Sequence, residues 1–156
     1  AASIMLHDML RRILRNMDLS ENEIDESIYD AMLLSVDVAH ALHPNKKEKM
    51  DITNMPVMGK GFCIKQACSQ SYATDAQAIA ILCQLCDEKG IPYQRFVNRS
   101  DSRGGSTLGS IAGTLLPVKT VDIGIPILAM HSACELMGVR DMKALSDCVT
   151  AFFGYH

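Results

Sequence analysis

The chain has 156 residues, 48% hydrophobic and 21% charged, with a net charge of −3; these are the proportions of a folded globular domain, not of a disordered tail. That length suits one domain, able to bury about two-thirds of its unfolded surface. There is no basic stripe and no apolar run near about 20 residues, so neither nucleic acid nor a membrane is expected as a partner. Trp is absent, so the core must rest on Leu, Ile, Val, Ala and ten Met.

Ala1-Ala2-Ser3 leads at once into an amphipathic pattern without an initiator Met, as in a chain cut from a longer one. Ile4, Met5, Leu6, Met9, Leu10, Ile13 and Leu14 recur at helical spacing, and Arg11, Arg12 and Arg15 sit where cations favour the helix dipole. The acidic stretch from Asp18 to Asp30 reads as a connector with a short helix opened by the capping box Ser20-x-x-Glu23. The run from Ala31 to Val38 has the apolar character of a buried strand and ends at Asp37-x-x-His40. A charged loop from His43 to about Met58 follows, then a strand around Phe62 to Lys65. Thr74-x-x-Gln77 predicts the start of a helix that closes at Gly90, with Pro92 beyond it. Tyr93 to Asn98 reads as a strand, Thr107 to Leu116 as a helix stopped by Pro117, and Val118 to Ile123 as a strand broken by Gly124-Ile-Pro126. Ser132-x-x-Glu135 predicts a short helix after His131, and the last helix spans about Asp141 to Phe153.

Strands alternating with helices of this length imply crossover units and a mainly parallel sheet, an α/β class. The six cysteines include Cys83-x-x-Cys86, but this pair lies inside a helical pattern with no second such pair. Buried apolar thiols are the preferred reading over a zinc knuckle, and free thiols suit a reducing cytoplasm.

Asp37 stands where an apolar strand gives out, the place at which open α/β sheets put their ligands; His40 can share that cavity. Asp37 as the cap of the following turn, with surface histidines at His40 and His43, is the competing reading. His131 projects from a loop just before a capping Ser and has the type and setting of a metal ligand or of a hydrogen-bonded loop residue. Glu135 is explained by its capping position alone. The glycines of Asn98-Arg-Ser-Asp-Ser-Arg-Gly104-Gly105-Ser-Thr107-Leu-Gly109 expose backbone amides at a helix start, which suits an anion or a carbonyl oxygen. The spacing of a nucleotide loop is absent. Taken singly, Lys65 reads as a snorkelling surface residue and Tyr72 as a packing one.

Together these segments resemble the aspartyl aminopeptidase family of dinuclear zinc exopeptidases. The resemblance is carried by Ser35-x-Asp37-x-Ala-His40-Ala-x-His43-Pro-Asn45, Tyr72-Ala-Thr-Asp75, the stretch from Pro92 to Gly109, and Leu128-Ala-Met-His131-Ser132, in that order. It implies a three-layer α/β/α sandwich of the zinc exopeptidase type, present here as its C-terminal segment, residues 1–156. The upstream metal-binding portion and the dimerisation domain would lie outside the chain. It further implies that Asp37 and His131 ligate different zinc ions of a two-zinc site, with cobalt or manganese as substitutes. His40, Lys65, Tyr72 and Gly105 match substrate-pocket positions, with Lys65 reading an acidic side chain. The general base, a Glu, is expected upstream of Ala1, as are the remaining ligands. The segment alone should be inactive, and the intact protein a cytoplasmic homo-oligomer acting on peptides. One departure bears on specificity: Gly59-Lys-Gly-Phe-Cys-Ile-Lys65 stands where the family more often has Gly-Pro-Val-Ile-Lys. Two other readings remain. One is a non-catalytic α/β binding module that uses the loop from Gly104 to Gly109; the other is a separately made partner chain.

Overall fold

Alternation along one long strand decides how the molecule is layered. The structure is a computed structural model that describes residues 3–102 and 104–154; Ala1, the expected point of truncation, lies outside them. Its elements in chain order are α1 (Met5–Arg15), α2 (Glu21–Asp30), β1 (Met32–His40), β2 (Phe62–Gln66), α3 (Ala76–Lys89), β3 (Tyr93–Val97), α4 (Leu108–Leu115), β4 (Lys119–Leu128), β5 (Leu136–Met137) and α5 (Val139–Phe153). Successive side chains of a strand point to opposite faces. In β4, Val121, Ile123, Ile125 and Ile127 therefore share one face, where they form the main core with Phe62 and Ile64 of β2 and with residues of α3 and α5. Thr120, Asp122 and Gly124 turn to the other face, and α4 lies over it. A smaller cluster of Ile24, Ile28 and Leu116, with Leu10 and Leu14 against it, seats α1 and α2.

The sheet runs in the order β1-β4-β2-β3, with β5 added on β4. β1 pairs parallel to β4 from Met32↔Lys119 to His40↔Ile127, and β2 pairs parallel to β3. β2 meets β4 antiparallel over Cys63↔Gly124 to Lys65↔Asp122. The sheet is thus mixed, open and parallel in its two longer pairings. Helices cover both faces, as the predicted layering requires.

Several sequence signals act as expected. Ser20 and Glu23 form both arms of the capping box, and Gly90 closes α3 in the left-handed region at φ 64°. Three signals act differently. Asp75, not Thr74, caps α3 by accepting from the Ala78 N–H at 2.8 Å. The Thr74 hydroxyl is already committed to its own loop, donating to the Tyr72 carbonyl at 2.9 Å and accepting from the Ala67 N–H at 3.1 Å. Gly124 and Pro126 do not break β4, which continues for ten residues. The Ala41 N–H donates to the Ile127 carbonyl, so the polar groups of Ile127 face β1 and those of Pro126 face away from it. On that side Pro126 falls between the last β2 pairing and the first β5 pairing, where a missing N–H costs no ladder bond. Ser132 and Glu135 start no helix either. The chain turns through them into β5, the Ser132 hydroxyl accepting from the Cys134 N–H.

All six cysteines are free. Cys86 and Cys148 meet at 3.8 Å between α3 and α5, and burial pushes the Cys63 thiol up to about 12. Cys83 and Cys86 gather no further ligand: among the described residues no three His, Cys, Asp or Glu come together as a metal group. Of the buried positions, Gly124 bears most directly on the site. A Cβ there would lie 2.7 Å from the Val38 carbonyl carbon and 2.9 Å from the backbone carbonyl oxygen of Asp37. Gly124→Ala should therefore lower stability by about 1–3 kcal/mol through forced separation of β1 from β4. Gly105→Ala, with nothing within 4 Å of its Cβ, should stay within about 0.5 kcal/mol of wild type; urea unfolding of both variants checks the contrast.

Candidate active site

Because β1 and β4 run parallel, their C-terminal ends open onto the same edge of the sheet. Asp37 lies near that end of β1, opposite Gly124. His131 lies three residues beyond the end of β4, on a turn in which Ala129 and His131 both take positive φ, 57° and 67°. Non-glycine residues seldom adopt this conformation, although His does so more readily than most. Two bonds hold the turn. The Ser132 N–H donates to the Ala129 carbonyl, and the His131 N–H donates to the Glu135 carboxylate at 2.6 Å. Glu135, read from sequence as a helix cap, instead anchors the backbone that carries the His131 ring.

Lys65 is not the snorkelling surface residue expected from its strand position. It is 3% exposed, and a buried ammonium needs compensation. Its Nζ donates to the Val38 carbonyl at 2.9 Å and to Asp37 Oδ2 at 3.4 Å, and stands 4.7 Å from the centroid of the Tyr72 ring. The Asp37 side chain remains half exposed, so its carboxylate is held by Lys65 yet open to the sheet edge.

Tyr72 is buried against Phe96 with ring centroids 6.1 Å apart, and its hydroxyl accepts from Asn98 Nδ2 at 3.2 Å. The His40 ring also approaches Phe96, with centroids 6.4 Å apart. Partial loss of water, then the positive charges of His131 and Lys65, lower the His40 pKa below the ordinary imidazole value. Burial thus favours the uncharged form of the His40 ring. His40, Tyr72 and Gly105 all line one cavity of about 440 Å³, together with Phe96 and Asn98. The charged residues in its wall are basic, Lys46, Lys49 and Arg99, with His43 beside them. A second cavity of about 680 Å³ continues past Arg99 and Gly105 along Cys68, Ser69 and Ser71.

Of the residues singled out from sequence, His40, Tyr72 and Gly105 converge on the cavity, and Lys65 joins them through the Tyr72 ring. Asp37 and His131 share the sheet edge beside it. A zinc ion takes about three protein ligands in a catalytic site, and one exposed carboxylate with one exposed imidazole is a contribution to such a shell, not the whole of it. Sequence reasoning passed over Asp122, which is 0% exposed and bonds to Ala73 and Thr107. The signal was a lone carboxylate inside the run Val121-Asp122-Ile123, where an unpartnered charge is not tolerated.

Residues 1–153 match the family model described as aminopeptidase I zinc metalloprotease, M18. A probable M18 family aminopeptidase 2 of Clostridium novyi is 47% identical over 141 residues, covering 90% of this chain and 33% of the relative. Its counterpart in Clostridium acetobutylicum is 44% identical over 98% of this chain and 35% of its own length. The cryo-EM structure of the Ape4 and Nbr1 complex contains a chain that superposes with a TM-score of 0.91 at 33% identity, over 97% of this chain and 29% of that one. The Saccharomyces cerevisiae mApe1 dodecamer superposes at 0.70 with 27% identity, over 80% of this chain and 27% of its own. This chain spans about a third of the length of the curated relatives it matches.

A double-mutant cycle checks the Lys65–Asp37 contact directly. With Lys65→Met and Asp37→Asn, urea unfolding should give a coupling energy of about 1 kcal/mol, the upper end for a pair with one solvated partner. A value near zero would show that the Val38 carbonyl and the Tyr72 ring alone satisfy the ammonium.

Proposed function

Because the chain belongs to the aminopeptidase I zinc metalloprotease family, M18, we propose that it is the C-terminal portion of that family's catalytic domain, and that the intact protein is a zinc aminopeptidase releasing N-terminal residues from peptides. The observation that carries this reading is the shared edge of β1 and β4. It sets a carboxylate and an imidazole, Asp37 and His131, beside a cavity bordered by His40, Tyr72 and Gly105. Asp37 and His131 each serve one ion of a two-zinc centre, and the other ligands and the general base come from the upstream portion. Zinc held there would supply Lewis acidity and lower the pKa of water.

The chain's own residues orient the substrate. Neutral His40 can meet a peptide's terminal ammonium without charge repulsion. Gly105 leaves its backbone open to a substrate strand, and Tyr72 presents a hydroxyl already aligned by Asn98. Lys49, together with Lys46 and Arg99 beside their partners Glu48 and Asp101, gives the cavity wall a basic character that favours an acidic side chain, Asp or Glu, at the substrate's N-terminus.

Two surfaces support an upstream portion packing here. β1 is a nine-residue edge strand with no partner on its outer side among the described residues, and Val36 is half exposed on it; long bare edges are normally covered. Ile4, Met5, Met9 and Ile13 of the first helix and its approach are likewise exposed. A solved relative is described as a dodecamer, which favours a homo-oligomer for the intact protein, and six unpaired thiols favour the cytoplasm. A non-catalytic binding module would use the same cavity but would need no zinc.

Two measurements test the proposal. Calorimetric titration of these 156 residues should show no tight zinc binding, and tight uptake of two ions would overturn the division of ligands. In the intact protein, a chelator should abolish hydrolysis of Asp- and Glu-anilides and zinc or cobalt should restore it. Asp37→Ala should lower kcat/KM by about 10³-fold or more. Activity that survives chelation would sink the metallopeptidase reading.

A further inference from the structure

We propose that Asp122 is the positioning residue of the substrate pocket, its single buried carboxylate holding the Tyr72 loop and the glycine loop at a fixed separation. The proposal rests on the reading of the cavity as the substrate pocket, although Asp122 itself lines no part of it.

Asp122 sits in the middle of β4, between Ser35 of β1 and Lys65 of β2 in register, and is wholly buried. One oxygen, Oδ2, takes both loops. The Ala73 N–H donates to it, and so does the Thr107 hydroxyl at 2.6 Å. Ala73 directly follows Tyr72, which forms one wall of the cavity. Thr107 stands two residues after Gly105, which forms another. A direct bond between the loops, from the Thr107 N–H to the Ser71 carbonyl at 3.2 Å, closes the triangle. Thr107 would ordinarily cap α4 with its side chain, but no such cap bond forms; the hydroxyl is given to Asp122 instead. An apolar residue at 122 would leave a buried N–H and a buried hydroxyl unpaired, each costly in free energy.

The other oxygen, Oδ1, has no hydrogen-bond partner. It lies under α4, where a Cβ added at Gly109 would stand 2.7 Å from it and 2.7 Å from the Ser35 hydroxyl. The helix that follows the glycine loop thus rests on this carboxylate at a position where any larger residue would collide. The carboxylate therefore sets the depth of α4 as well as the spacing of the two loops, and acts on substrate only through Tyr72 and Gly105.

The test is hydrogen exchange followed by mass spectrometry on the chain as it stands. Asp122→Ala should raise exchange in segments 67–75 and 104–109 together, by about tenfold or more, while α3, α5 and β1 keep their protection. Asp122→Asn retains one acceptor oxygen for Ala73 and Thr107 and turns its amide towards the partnerless side; it should restore both segments. Thr107→Val should loosen 104–109 alone, and this variant together with Asp122→Asn decides the matter if the alanine variant does not fold. Uniform loosening of the whole core or a response of only one loop in Asp122→Ala, loosening of both loops in Thr107→Val, or failure of Asn to restore them would each overturn the proposal. In the zinc-loaded intact protein Asp122→Ala should raise KM about tenfold with kcat within about twofold, and a fall in kcat at unchanged KM would count against it. The exchange experiment needs no turnover, so a failure of the peptidase reading would show separately as absent zinc-dependent hydrolysis.

Discussion

β1 lies so close to β4 that position 124 has room only for glycine, and the site depends on that approach. The parallel register it permits brings Asp37 and the His131 turn out at one end of the sheet. It also opens the path by which Lys65 reaches Asp37. Lys65 belongs to β2, with β4 between them, and the β4 residue facing Asp37 is the one with no side chain to stand in the way. Had β4 ended at Ile123, as its Gly-Ile-Pro sequence suggests, the chain would turn away five residues earlier and leave the edge that Asp37 occupies.

The two faces of the sheet divide their tasks. The face under α3 and α5 is apolar throughout, with Val121, Ile123, Ile125 and Ile127 packed against Leu82, Leu145 and two thiols; close packing of this kind supplies most of the favourable free energy of burial. The opposite face carries the polar residues that are costly to bury, Lys65 and Asp122. Each of these is compensated by groups from a loop or a neighbouring strand, so the cost of burial is converted into a defined loop position. Asp141 does the same at another joint, its carboxylate accepting from the Gly59 and Gly61 N–H groups and fixing the chain as it enters β2. Buried carboxylates in regular elements thereby fix loop positions, Asp122 beside the cavity and Asp141 at the entry to β2.

Among the described residues four non-glycines take left-handed backbone, Asp18, Gln70, Ala129 and His131, and the last two share one turn. The left-handed backbone at Ala129 and His131 would relax in an isolated peptide, and the Glu135 carboxylate on the His131 N–H holds it. That bond fixes the backbone from which the exposed imidazole of His131 projects.

Local periodicity and capping chemistry were enough to place the five helices and four main strands, because those signals depend on residues three or four apart: Ser20 with Glu23, Gly90 after Lys89, the alternation of β4. They failed where a second partner, near or far along the chain, competes for the same group. Thr74 gave its hydroxyl to its own loop and Thr107 to Asp122, and Glu135 gave its carboxylate to the backbone of His131, so three apparent caps serve other ends. Ordered motifs in the sequence pointed to the family and to the residues around the cavity, since a motif records chemistry that is local in the chain. The antiparallel turn of the sheet at β2, the burial of Lys65 and the role of Asp122 were decided only by tertiary structure. Each is a pairing between residues 15 to 61 positions apart, and no local pattern encodes which strand will lie beside which.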